Sequence, residues 1–235
     1  MPEKTSQKIL KFNNELSKTR LNLPTGFKEI NPFNSSSKKQ VQNITKTFYQ
    51  KYYNDNKKRR MILGSSPARR GTGVTGVPFE NIEHLQNKTG IFIDNFYINK
   101  ASSNFLYEVI EKYGGTEKFY NDFYMNFVCP IGIAKINSKG NLVNCNYYEN
   151  KKLKDSLYSF IIKSIKKQLN FNIDTTVCYC IGSGENYKFL SKINDEYNFF
   201  KVIIPLEHPR FIMQYNSKQK DVYLEKYINA LNYKI

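Results

Sequence analysis

The segment Arg59 to Phe79, RRMILGSSPARRGTGVTGVPF, constrains the fold more than any other part of the chain. A basic pair runs into the apolar residues Met61, Ile62 and Leu63 and then into a glycine and serine turn. That order predicts a buried strand whose carboxyl end opens onto a loop. Around Gly64, Ser65 and Ser66 the small side chains leave backbone N–H groups uncovered, while Arg69 and Arg70 add fixed positive charge. Together these suit an anion such as a phosphate or a departing base. Val77 and Pro78 are stiff and set Phe79 beside that anion as an aromatic face. The segment therefore reads as a polar pocket with a stacking platform.

Within it, Gly71, Gly73 and Gly76 spell GxGxxG, and Asp94 closes an apolar run (Ile91, Phe92, Ile93) at a distance that mimics a dinucleotide-binding fingerprint. The context argues against that reading. The fingerprint needs its first glycine directly after the strand and a helix at its third, whereas here the strand ends near Gly64 and Pro78 interrupts the segment after the glycines. A nucleotide-binding oxidoreductase is accordingly the third-ranked function.

The remaining pattern alternates strands and helices. Ile9, Leu10, Phe12 and Leu16 predict a helix, Pro24, Gly26 and Pro32 break it, and Gln40 to Tyr53 predicts a second, both as core cover. Further helices are expected over Ser102–Tyr113, Lys151–Asn170 and Asp221–Asn232. Strands are expected within Phe119–Val128 and over Thr176–Ile181 and Val202–Leu206. Strand, turn, helix repeats of this kind predict an α/β fold, a three-layer α/β/α arrangement around a central, mainly parallel four-stranded sheet, in one domain covering residues 1–235. Ligands of such sheets sit at the carboxyl ends of the strands, so the strands ending near Gly64, Val128 and Leu206 should converge on one site.

Two side chains at those ends carry chemistry. Asn126 offers a donor and an acceptor, the pairing that reads the edge of a pyrimidine, although a strand-end asparagine also serves to satisfy backbone. His208 follows a buried strand and precedes Pro209 and Arg210, where it can donate a hydrogen bond into the site. His84, in a polar segment, is expected at the surface. Cys129, Cys145, Cys178 and Cys180 lack zinc spacing and read as buried, reduced thiols, so neither a metal nor a cofactor is expected.

With 36 Lys and Arg against 20 Asp and Glu, the formal charge is +16, which points to a polyanionic partner. The arginines cluster at the motifs, favouring nucleic acid, and Lys57 to Arg60 is expected to form part of a DNA-facing rim. A membrane is not expected as a partner, since no run of about 18 apolar residues and no signal-peptide core is present, and a cytoplasmic monomer is the expectation.

GSSPARRGTGVTGVPF resembles the first motif of the uracil-DNA glycosylase superfamily, in its single-strand-selective monofunctional branch and the bacterial relatives of that branch. NFVCPI (Asn126 to Ile131) is similar to the base-reading strand, and HPRFIMQY (His208 to Tyr215) to the second catalytic motif. The resemblance departs at Ser66, where the branch has an asparagine that positions the attacking water, and at Ala68, where it has glycine. It implies a monofunctional enzyme that flips a base out of single- or double-stranded DNA and hydrolyses its N-glycosidic bond. In that reading Ser66 holds water and His208 stabilises the leaving base. Gly64, Ser65, Phe79 and Asn126 bind the base, while Arg69, Arg70, Arg210, Phe211 and Met213 hold DNA, Arg210 to Met213 as a wedge. Glu80, Asp94 and Glu207 are candidates for a carboxylate that supports the sugar cation. Uracil, or a modified pyrimidine such as a decorated cytosine of viral DNA in a defence role, is the implied target. The alternative is a DNA-binding module that has lost catalysis.

Overall fold

The structure is a computed structural model that describes residues 2–80, 82–91 and 101–233. Its first helix, α1 (Thr5–Lys18), turns Ile9, Phe12, Asn13 and Leu16 inward, the spacing of one helical face. The strand β1 (Phe27–Ile30) precedes α2 (Lys38–Tyr52), which buries Val41, Ile44, Phe48, Tyr49 and Tyr52. After them come β2 (Arg59–Gly64), α3 (Thr72–Thr75), α4 (Ile82–Thr89), α5 (Ala101–Tyr113), α6 (Gly115–Asp122), β3 (Phe123–Phe127), β4 (Gly132–Ile136) and β5 (Leu142–Cys145). The chain closes with α7 (Lys151–Leu169), β6 (Ile173–Ile181), α8 (Glu185–Tyr197), β7 (Val202–Leu206), α9 (Pro209–Tyr215) and α10 (Lys220–Leu231).

The expected parallel sheet forms with strand order β3-β2-β6-β7. β2 lies inside it and is covered on both faces, which is why Met61, Ile62 and Leu63 read as an unbroken apolar run. On one face Leu106 and Val109 of α5, Phe119 of α6 and Tyr227 of α10 gather over Ile62 and Met125. On the other, Asn186 of α8 reaches the Cys180 thiol at 3.2 Å, and Phe171, just after α7, packs edge-on against Tyr124. The steps β2 to β3 and β6 to β7 run in opposite directions across the sheet, so right-handed crossovers place their helices on opposite faces. All four cysteines are buried and free, and burial pushes the Cys129 and Cys180 thiols up to about 12. No helix among the described residues is long and apolar enough to cross a membrane.

A second sheet, antiparallel with order β1-β4-β5, was not legible beforehand, because its strands are four or five residues long and carry no clean alternation. It buttresses the loop after β2. A Cβ on Gly132 would lie 2.1 Å from the Pro67 carbonyl oxygen, so only glycine permits that approach.

The basic run Lys57 to Arg60 is a correction to the expected DNA rim. It enters β2 at the amino end, the pole opposite the site. Arg59 is buried, paired with Asp55 at 2.8 Å, and donates to the Tyr120 and Tyr52 carbonyls. Arg60 donates to the Tyr179 hydroxyl and the Tyr233 carbonyl. Both arginines are spent on tying the sheet to its covering elements.

Candidate active site

β2, β3 and β7 end at one pole of the sheet. There the backbone continues the ladder past the strands, Val128 N–H donating to the Gly64 carbonyl at 2.8 Å and Cys129 N–H to the Ser65 carbonyl at 3.0 Å. This holds the first two motif segments side by side. The Ser65 hydroxyl donates to Asn146 Oδ1 at 3.1 Å, and Asn144 Oδ1 accepts from Arg69 N–H at 2.9 Å, so residues at and after β5 brace the loop. Ser66 is half-buried, and its hydroxyl makes no hydrogen bond among the described residues. Arg70 is exposed and Arg69 half-buried on the same loop.

Phe79, after Val77-Pro78, lies over the end of β2. Its ring stacks on Phe127 at 5.4 Å and 30° and faces His208 at 6.4 Å. Gly64 lies at the ring tip, where a Cβ would stand 2.7 Å away. Phe79 itself holds φ +60°, a left-handed conformation that costs a bulky residue energy and that the fold imposes through the Thr72 hydroxyl, acceptor of the Phe79 N–H at 3.2 Å. The glycines of GxGxxG serve this turn: Gly73 lies against Ile30 and Ala68, and Gly76 ends α3 at φ +74°. They cradle no phosphate-binding helix, since α3 is four residues long.

His208 caps α9, its Nδ1 accepting from Arg210 N–H at 3.0 Å. An acceptor Nδ1 carries no proton, so the hydrogen of the neutral ring sits on Nε2. Loss of solvent around the ring, and then the Arg210 guanidinium, pull His208 down to about 4. The ring is therefore a neutral donor at physiological pH. Because the active form lies above that value, kcat/KM is expected to stay flat with respect to His208 from about pH 5 to 8 and to fall about tenfold per unit only below about pH 4. A pH profile that breaks near 6.5 would contradict this assignment. The same shift works against stability in acid, since the unfolded ring, at 6.5, takes a proton that the folded ring refuses until about 4.

Asn126 is 7% exposed and engaged at both ends: Oδ1 accepts from Phe127 N–H at 2.9 Å, and Nδ2 donates to the Tyr124 hydroxyl at 2.5 Å. The backbone bond fixes which end of the amide is oxygen. One Nδ2 hydrogen and one Oδ1 lone pair are left over.

On α9, Arg210 is exposed with its Nε on Gln214, Phe211 is 46% exposed, and Met213 is half-buried. Ile212 is a correction: it is fully buried and belongs to the core, as its place on the inner face of a short helix dictates. Sequence reasoning passed over Tyr215, 70% exposed and 6.1 Å from the Phe211 ring, whose signal was an aromatic one turn after an exposed aromatic.

Neither of the described carboxylates points into the site. Glu207 turns to α10, where Lys226 contacts its Oε1 at 2.6 Å. Asp94 lies outside the described residues. Glu80 is 2% exposed and accepts from the Tyr107 and Tyr120 hydroxyls at 2.7 and 2.5 Å. Burial raises it to about 7, against the lowering effect of the two tyrosines and Lys88. The folded state thus binds more protons than the unfolded one between 4.5 and 7, so Glu80 removes stability as pH rises through that window. Glu80→Gln is expected to match wild type near pH 4.5 and to exceed it by about 1–3 kcal/mol at pH 8 in urea unfolding; a gap that did not widen with pH would count against the buried charge. His84, expected at the surface, is half-buried with its ring on Tyr107, centroids 3.2 Å apart.

The ends of β2, β3 and β7 thus bring the Phe79 ring, the Asn126 amide and the His208 ring to one pole of the sheet. The profile of the uracil DNA glycosylase superfamily matches residues 50–232, and the chain belongs to that superfamily. It is a DNA glycosylase, hydrolysing N-glycosyl bonds in DNA. Among solved structures, it is similar to wild-type SMUG2 of Pedobacter heparinus, at 44% identity and a TM-score of 0.92 over 97% of each chain. No curated protein matches the sequence.

Proposed function

We propose that the target is uracil and that excision proceeds by dissociative hydrolysis. The observation that carries this reading is the fixed His208 tautomer facing the Phe79 platform. A flipped base stacked on Phe79 meets two directed donors. The spare Nδ2 hydrogen of Asn126 matches a carbonyl acceptor, as uracil presents at C4, and opposes the amino group of cytosine. Nε2–H of His208 donates to the C2 carbonyl as the C1′–N1 bond breaks and its electron pair leaves with the base. A neutral donor strengthens its bond as that charge develops, where one such donor is worth about 3–4 kcal/mol. Ser66 Oγ holds the water that adds to C1′, its proton passing to solvent. Arg69, Arg70 and Arg210 engage phosphates, and Phe211 with Met213 fills the gap left by the nucleotide. The protein acts as a monomer on single- or double-stranded DNA.

A decorated cytosine and a defence role gain no separate observation: the decoration would sit near Arg69 and Arg70, but the 4-amino group would still face the Asn126 donor. The test is an incision assay on oligonucleotides carrying uracil and, in parallel, modified cytosines, scored by alkali cleavage at abasic sites. Cleavage of uracil DNA alone is expected. Cleavage of modified cytosine instead would replace the substrate, and binding without cleavage of any DNA would leave the inactive binding module.

A further inference from the structure

Among the described residues other than glycine, positive φ occurs at Asn172, Asn198 and Phe79, and only Phe79 carries a bulky ring there. Asparagine tolerates that region; an aromatic residue stays in it only while its neighbours over-determine the backbone. On the amino side the restraints are hydroxyls. Thr72 accepts the Phe79 N–H at 3.2 Å, and Thr75 accepts the Val77 N–H at 3.2 Å. On the carboxyl side the next residue is Glu80, buried, whose two oxygens accept from Tyr107 of α5 at 2.7 Å and Tyr120 of α6 at 2.5 Å. Tyr120 is in turn fixed by α2, edge-on to Phe48 at 5.1 Å and tilted on Tyr52 at 4.8 Å. The chain leaving Phe79 is therefore tied to three helices through one carboxyl group.

We propose that Glu80, held by Tyr107 and Tyr120, is a positioning residue for base stacking: its carboxyl group is the anchor that keeps Phe79 in the left-handed turn and so places the ring over the end of β2. With that anchor in place, the ring tip meets Gly64 and the ring face lies on Phe127 at 5.4 Å. Release of Glu80 lets Phe79 relax toward a negative φ, which carries the ring off Phe127. A base stacked on the ring then loses its alignment to His208 and Asn126. This role rests on the reading of Phe79 as the platform for the flipped base, and it gives α5 and α6, otherwise covering helices, a part in placing that base.

The test has a kinetic and a spectroscopic arm. Glu80→Ala is expected to lower kcat on uracil DNA about ten- to thirtyfold, with binding to DNA without a target base unchanged, and to move the Phe79 ring resonances in ¹H–¹³C spectra. Glu80→Gln is the rescue. An amide of the same length accepts from one tyrosine and donates to the oxygen of the other, so kcat is expected within about threefold of wild type and the Phe79 resonances near their wild-type positions. Tyr107→Phe keeps the ring and removes one of the two hydrogen bonds, which tests the anchor even where Glu80→Ala does not fold; about a threefold loss of kcat and a smaller shift of the same resonances are expected. Phe79 resonances unmoved by these two variants would overturn the proposal. So would variants that lose thermal stability but keep kcat, or a Glu80→Gln enzyme as slow as Glu80→Ala, which would mark a need for charge instead of an anchor. If the wild-type protein excises no base, the reading of Phe79 as a platform falls, and the anchor is judged separately by the spectra.

Discussion

Replacing His208 by alanine is expected to lower kcat for base removal by about 10²–10³, with little change in affinity for DNA that carries no target base. The geometry is the cause of the loss. Nδ1 is occupied by the Arg210 N–H, so the ring can aim only Nε2–H at the site, and desolvation keeps it neutral. Alanine also removes the cap of α9, which is expected to cost about 1 kcal/mol of stability, so a second variant separates the two effects. Asn at this position is a good helix cap with a shorter reach. His208→Asn should therefore recover the melting temperature and not the rate. Single-turnover kinetics on uracil DNA beside thermal melts would check this, and a His208→Ala enzyme within threefold of wild type would remove His208 from the chemistry.

Gly64→Ala is the second large effect, and its cause is contact rather than charge. The added methyl would lie 2.7 Å from the tip of the Phe79 ring and 3.0 Å from Phe127 Cδ1. Gly64 does not hold a positive φ, so the strand itself tolerates alanine. Phe79 is half-buried and can tilt away, which makes the fold's loss small, about 1 kcal/mol. The platform, however, moves with it. A displacement near 1 Å at a reacting centre costs up to about 10²-fold, so kcat/KM is expected to fall by about 10- to 100-fold. Kinetics and urea unfolding on the same protein distinguish the outcomes: a variant that melts normally and excises normally would show that the Phe79 ring position is not critical.

The chain announces both residues locally. Gly64 stands at the boundary between an apolar run and a small-residue turn, and His208 stands just past the end of another apolar run, so both were visible as strand ends in an alternating α/β pattern. The parallel sheet and the order of the three motifs were legible for the same reason: periodicity and turn chemistry are local. Membership in the glycosylase superfamily rested on those motifs together.

Other features depend on which distant segment lies alongside, and no local pattern records that. Lys57 to Arg60 looked like a DNA rim because it adjoins the site in sequence; six residues of strand carry it to the opposite pole, where Arg59 meets Asp55 and the Tyr120 carbonyl. Glu80 adjoins Phe79 yet points between two tyrosines in the core. Conversely, Asn144 and Asn146 come from a remote part of the chain to brace the loop after β2. The amino-acid order by itself determined the longer helices and the strands of the parallel sheet, because those depend on backbone and side-chain preferences over a few residues. Only the tertiary structure decided the tautomer of His208, the orientation of the Asn126 amide and the strained turn at Phe79, because each is held by a hydrogen bond or a steric contact that exists only after the chain has packed.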